Sequence, residues 1–192
     1  MTRVREQQAN RRGRAVWRIL AGACCAVAGL SGIVNGSSRV HAATPAQLLT
    51  GERLQQMTTT ELDALYRKSA LGPRPRGRVH GLPIVAPGTP MGPRMSRAAR
   101  VVWQGKVFSD DGTSAINRFF GIQIIRGKVS QGISWLDGRP SLLLDYQGTS
   151  LLYGRYRDEI RQVAPGLYLG VMFTRTSRGV EFNKYFAFET RP

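Results

Sequence analysis

From Gly121 onward the chain alternates apolar and polar residues in short runs separated by turn residues, which restricts it to an antiparallel β fold. In the first run Ile125, Val129, Ile133 and Trp135 share one face, and Arg126, Lys128, Ser130 and Ser134 share the other. Asp137-Gly138 then predicts a two-residue hairpin turn with positive φ values, and 141–146 returns as the partner strand. Pro165-Gly166 opens a further strand with Leu167, Leu169, Val171 and Phe173 on one side. After the Thr176-Ser177-Arg178-Gly179 turn, 180–189 places Phe182, Phe186 and Phe188 together. Residues 153–163 fit two periods. Tyr153, Tyr156, Ile160 and Val163 have helical spacing, while Arg155, Arg157, Glu159 and Arg161 alternate against Tyr156 and Ile160 as in a strand. The strands on either side favour a strand here. Sequential strands that close on themselves leave no exposed edge. The expected architecture is therefore mainly β: a small antiparallel meander closing into a lipocalin-like β-barrel, with one or two short N-terminal helices.

The front of the chain supplies those helices. Thr59 or Thr60 can cap a helix running through Ser69, with Leu62, Leu65 and Tyr66 as its apolar stripe. Glu61 and Asp63 sit at its positive end and Arg67 and Lys68 at its negative end. Gly72-Pro73-Arg74-Pro75-Arg76-Gly77 stops it, and 78–86 reads as a first strand. Ser96 is placed to cap a second helix over 97–104, 106–109 reads as a short strand, and 115–120 as one helical turn. Asp110-Asp111-Gly112-Thr113 lacks the alternating oxygen ligands and closing Glu of a calcium loop, and reads as a solvated turn.

Residues 3–42 have a different character. Six arginines lie between positions 3 and 18, an apolar run softened by Gly and Ser covers 19–34, and Val40-His41-Ala42 ends in small residues. That order reads as an export signal, with cleavage expected after Ala42. Retention as an anchor needs a longer run of about 20 apolar residues, and lipid attachment at Cys24 or Cys25 needs a branched aliphatic where Ala21 stands. The expected location is therefore periplasmic, cell-envelope or secreted. The domain division is 1–42 as signal segment, 43–76 as helical lead-in and Pro/Arg-rich linker, and 77–192 as barrel. Without the first 42 residues the chain keeps 21 basic and 11 acidic side chains, a net charge of +10, with nine basic residues between Arg53 and Arg100. Such a balance attracts anionic partners (phospholipid head groups, wall or outer-leaflet polymers, or nucleic acid), of which a membrane or wall surface is expected and nucleic acid is not. Only four of the 28 basic residues are Lys, so part of the excess is an arginine bias of the whole chain. Both cysteines precede residue 43, which leaves no disulfide, thiol nucleophile or thiolate metal site in the remainder.

Trp103-x-Gly105-Lys106-x-Phe108, Tyr156-Arg157-Asp158-Glu159-Ile160-Arg161 and Pro165-Gly166-Leu167-Tyr168-Leu169-Gly170 carry a resemblance. Over 60–189 the chain resembles exported bacterial proteins of this size and, more distantly, the GXWXG-type proteins of unknown function. Those share a Gly-Lys-x-Phe segment and a late Leu-Gly-x-Met segment, here Leu169-Gly170-Val171-Met172. The resemblance implies a small β-barrel and brings no reaction, cofactor or site residue with it.

Candidate chemistry is sparse. His80 has no second His or Cys to share a metal, and no nucleophile elbow or phosphate loop occurs. Neither a metal nor a cofactor is expected. Asp145 and Asp158 are the carboxylates placed for acid–base work, although Asp158 and Glu159 between Arg157 and Arg161 equally make an ion-pair ladder on a barrel exterior. For a ligand cavity, Trp135, Tyr146, Tyr156 and Tyr168 supply the lining, and Arg155 or Arg157 a cation for an anionic head group at the barrel mouth. The leading expectation is a small exported binding protein of the cell envelope for an amphipathic or anionic small molecule. The alternatives are an envelope protein that binds anionic surfaces through its basic front, and a small-molecule enzyme that uses a barrel carboxylate.

Overall fold

A computed structural model describes residues 49–190. The expected export segment and its expected cleavage position lie outside these residues. Eight antiparallel strands follow one another round a closed barrel: β1 (Gly77–Pro83), β2 (Trp103–Phe108), β3 (Ser114–Phe119), β4 (Ile122–Ile133), β5 (Pro140–Asp145), β6 (Tyr156–Ala164), β7 (Leu167–Thr176) and β8 (Gly179–Thr190). Closure comes from β1 pairing with β8, from Val79 opposite Thr190 to Pro83 opposite Phe186. The fold is thus mainly β and of the up-and-down type to which lipocalins belong. Because neighbours run antiparallel, the connections after β1, β3, β5 and β7 meet at one end, here called upper. Those after β2, β4 and β6 meet at the lower end.

Two short helices precede the barrel, α1 (Gly51–Gln56) and α2 (Thr59–Lys68). The cap of α2 is Thr58, one residue before the expected position. Its hydroxyl accepts from Glu61 N while the Glu61 carboxylate accepts from Thr58 N, a reciprocal capping box. Leu54 on α1 and Leu62 and Tyr66 on α2 are fully buried against Leu82, Leu167, Leu169, Val171, Phe173 and Ala187, on the outside of the barrel. A second cluster fills the lower interior: Val79, Phe108, Ala115, Val129, Leu142, Leu144, Ile160, Tyr168, Phe186 and Phe188. The apolar face of β7 therefore packs outward under the helices, while Tyr168 points in. The linker covers the lower end, where Gln162 N donates to Ala70 O and the Tyr168 hydroxyl to Pro73 O.

Several elements differ from the sequence expectation. β1 ends at Pro83, short of residue 86. Proline brings no N–H to extend the ladder, and the chain then turns, with Ala86 at φ +46°. The second helix, α3, is Gly92–Ala99, started by Pro93, and Ser96 lies inside it. The Ser96 hydroxyl is fully buried and accepts from Val85 N at 2.9 Å, so its polar group serves a tertiary contact instead of a cap. β2 begins at Trp103. The expected helical turn over 115–120 is β3, whose Ala115 and Asn117 are buried by pairing with β2 and β4. Gly138 does have φ +70°, but the hairpin loop spans 134–139: Ile133 pairs with Pro140, and Gly138 N donates to Ser134 O. Of the face expected on β4 only Val129 is buried. Ile125 sits in a bulge with φ +64°, and Ile133 and Trp135 are exposed. The ambiguous segment is strand β6.

Candidate functional site in the barrel interior

Along β6 the residues alternate: Tyr156, Asp158 and Ile160 face into the barrel, and Arg157, Glu159 and Arg161 face out. Alternation on β2 puts Lys106 beside Phe108, facing in. A bulge between Trp103 and Gly105 changes the phase, so that Trp103 also packs on the interior cluster. Gly105 takes φ +111° at this bulge, where β1 and β2 approach so closely that a Cβ on Gly81 would lie 2.7 Å from Gly105 Cα. Asn117 is the cross-strand partner of Lys106, and Tyr146 follows the inward Leu144.

Lys106, Asn117, Tyr146 and Asp158, with Trp103 at the edge, form one buried network. The Lys106 ammonium donates to Asp158 Oδ2, the Tyr146 hydroxyl and Asn117 Oδ1, each at 2.8 Å. Tyr146 donates to Asp158 Oδ2 at 2.7 Å and accepts from Asn117 Nδ2 at 2.9 Å. Trp103 Nε1 donates to Asn117 Oδ1 at 3.0 Å. Lys106 and Asp158 are 2% and 3% exposed, so this ion pair is held without bulk water. Aromatic rings box the cation: its nitrogen lies 5.5 Å from the Trp103 ring centroid, 5.6 Å from Tyr146 and 5.3 Å from Phe186. Two inward glycines make room for the box. The Phe186 ring occupies the space of a Gly170 Cβ, and Tyr146 Cε1 would stand 3.0 Å from a Gly127 Cβ.

Burial and opposite charge act against each other inside the barrel. Burial lowers the Lys106 pKa from the usual lysine range, and Asp158 works the other way by favouring the ammonium. Burial, reinforced by Asp158, raises the Tyr146 pKa well above its usual value, which keeps the phenol neutral. Lys184 shares the inward face of β8 with Phe186 and Phe188 and senses Asp158. Its pKa is also lowered by burial. Among the described residues, Lys106 and Lys184 both interact electrostatically with Asp158. Above them Tyr153 packs on Tyr156, Tyr146 and Phe119, with centroids 5.2, 6.0 and 6.2 Å apart, and gives the upper interior an aromatic wall.

The sequence-derived candidates divide. Tyr146 and Asp158 meet in the network, and Tyr156 faces inward beside Tyr153. Arg155 is exposed at the upper rim, where its carbonyl accepts from Arg175 N. The remaining candidates are corrected. Tyr168 is inside but in the lower core, stacked on Phe188. Asp145 follows the inward Leu144 and so faces out, paired with Arg175. Trp135 and Arg157 lie outside the barrel, because β4 ends at Ile133 and the 134–139 loop folds back over β6. Arg157 there stacks 3.7 Å from the Trp135 ring centroid and donates to Glu159 Oε1 and Ile133 O. The ion-pair ladder is present on this exterior face through Arg157, Glu159, Arg161 and Asp137, without Asp158. Sequence reasoning missed Lys106, Asn117, Trp103 and Lys184 as site residues. The available signal was Lys106 two positions before Phe108, a cation in phase with an apolar strand face.

No family model matches the chain, and none of the curated proteins does. Among solved structures, the crystal structure of a protein from Thermomonospora curvata is similar, with a TM-score of 0.48 and 14% sequence identity, over 71% of this chain and 90% of that one.

Proposed function

We propose that the protein is an exported binding protein of the cell envelope that takes an amphipathic small molecule, anionic head first, into the upper half of its barrel. The arginine-rich head, apolar run and small-residue end of 3–42 support export. The observation that carries the ligand class is the pair of inward lysines, Lys106 and Lys184, beneath an aromatic wall. An anionic head group is attracted by these two ammonium groups, and an apolar tail is matched by the rings of Tyr153 and Tyr156. The cation for the head group is a lysine of the interior. Arg157 plays no part, since its guanidinium is engaged on the outer face.

The test is titration with a naturally fluorescent polyene fatty acid. Wild type binds. Lys184→Met weakens binding by roughly 10-fold or more, the loss of one charge-assisted contact of about 1.5–3 kcal/mol. Arg157→Gln leaves the affinity unchanged. Failure of the wild type to bind, or equal affinity in wild type and Lys184→Met, overturns the reading.

A further inference from the structure

The large exposed apolar residues are concentrated at the upper end. Val101 lies on the β1–β2 connection, Phe120 and Ile122 at the β3–β4 tip, Leu151 and Leu152 on the β5–β6 loop, and Val180 on the β7–β8 hairpin. All are 45% exposed or more, and Leu151 is fully so. They form a continuous rim. Phe120 N donates to Val102 O, the Phe119 and Tyr153 rings are in contact, and Arg175 N donates to Arg155 O. Phe120 stands out on two counts: it is 66% exposed and has φ +49°, a conformation costly for a bulky side chain. Neither burial nor backbone preference selects Phe at this tip, so its presence points to a contact made by the tip itself.

Charge marks the same end. The four upper connections carry Arg94, Arg97, Arg100, Arg155 and Arg178, all exposed, and neither Asp nor Glu. The connections at the lower end, 109–113, 134–139 and 165–166, carry Asp110, Asp111 and Asp137 with Arg139. Arg74 and Arg76 join them from the linker, whose backbone covers that end. Trp135, the large aromatic beside the lower loops, is stacked under Arg157. Apolar tips interleaved with arginine, with Glu181 beside Val180 as the acidic side chain at the β7–β8 hairpin, have the chemistry of an anionic lipid interface: side chains enter the acyl boundary and guanidinium groups meet phosphate. Among the described residues no helix is long and apolar enough to cross a membrane. We infer that the barrel docks by its upper rim on an anionic phospholipid bilayer, with Val101, Phe120, Ile122, Leu151, Leu152 and Val180 inserted in the interface.

This surface shares Arg94, Arg97 and Arg100 with the basic front of the chain, and the inference stands whether or not the interior binds a ligand. Peptide-resolved amide hydrogen exchange of the full chain tests it, because the apolar run at 19–34 can itself bind lipid and must be read separately. Vesicles of phosphatidylglycerol in phosphatidylcholine should slow exchange at 119–124, 148–153 and 177–182, and not at 109–113 or 134–139. Pure phosphatidylcholine should give much less protection. Leu151→Ser/Leu152→Ser, at positions with no packing to lose, should raise the lipid concentration for half-protection of the tips at least about 10-fold, and Arg97→Gln or Arg100→Gln about fivefold each. Unchanged exchange at the tips, protection of the lower loops instead, or equal protection by neutral vesicles overturns it. Protection that grows with protein concentration in the absence of lipid also overturns it, in favour of self-association.

Discussion

Lys106→Met should destabilise the protein by about 3–5 kcal/mol, the cost of leaving one member of a buried ion pair without its partner. Asp158 is 3% exposed, and after the substitution its carboxylate keeps the Tyr146 hydroxyl as hydrogen-bond donor in the network while losing the ammonium at 2.8 Å. Asn117 Oδ1 and the Tyr146 oxygen each lose a donor as well. The double variant Lys106→Met/Asp158→Asn removes both charges at nearly constant volume and should recover part of the loss, because the carboxylate no longer needs a counter-charge while Lys184 loses Asp158 and Asn117 and Tyr146 lose Lys106 as partner. Urea unfolding of the two single variants and the double variant measures the coupling. A loss below about 1 kcal/mol for Lys106→Met would show that Asp158 reaches water.

Arg161→Met on the outer face should have an effect of similar size. Its guanidinium is fully buried above Tyr66, at 4.4 Å from the ring centroid, and donates to both oxygens of Asp137 at 2.6 and 2.7 Å. It also serves the carbonyls of Pro140, Tyr66 and Arg139, so it ties α2 to the 134–139 loop and to β6. Removing it strands a nearly buried carboxylate and three acceptors, at about 3–5 kcal/mol. The same contact makes stability acid-sensitive. Hydrogen bonds from Arg161, against the opposing effect of burial, hold the Asp137 carboxyl down to about 2. A depressed carboxylate pKa stabilises the fold above the unfolded value of about 4, and that contribution is lost as pH falls from about 4 through about 2. Wild type should therefore lose about 1–2 kcal/mol from this group between pH 4 and pH 2, and Asp137→Asn should flatten that part of the profile. A profile unchanged in Asp137→Asn would remove Asp137 as its source.

Much of the architecture was legible in the chain, and the reason lies in particular residues. On β7, Leu167, Leu169, Val171 and Phe173 alternate as a half-buried strand should, and Phe186 and Phe188 keep one phase on β8. The Thr58–Glu61 box and the apolar stripe of α2 are local signals that need no tertiary knowledge. What the pattern could not reveal is which face of each strand is the inside. β6 is buried on both faces over most of its length, because α2 and the 134–139 loop cover its charged side. Arg157, Glu159 and Arg161 thus resemble a solvated ladder in sequence, yet they pair beneath other elements. The lysine network escaped for another reason. The bulge at Trp103 and Gly105 breaks the alternation around Lys106, and the short β3 that supplies Asn117 has too few residues to declare its period. Tyr146 and Asp158 were recognisable as polar groups on apolar strands, but their partner on β2 is 40 and 52 residues away.

The central claim is that positive charge inside the barrel selects an anionic amphipath. The most direct measurement compares the affinities of a long-chain fatty acid and the fatty alcohol of equal chain length for the same protein. The two share their apolar contacts and differ in the head group, so the account predicts that the acid binds about 10- to 100-fold more tightly at neutral pH, and that Lys184→Met narrows the difference. Equal affinities for acid and alcohol, or binding of neither, would contradict it.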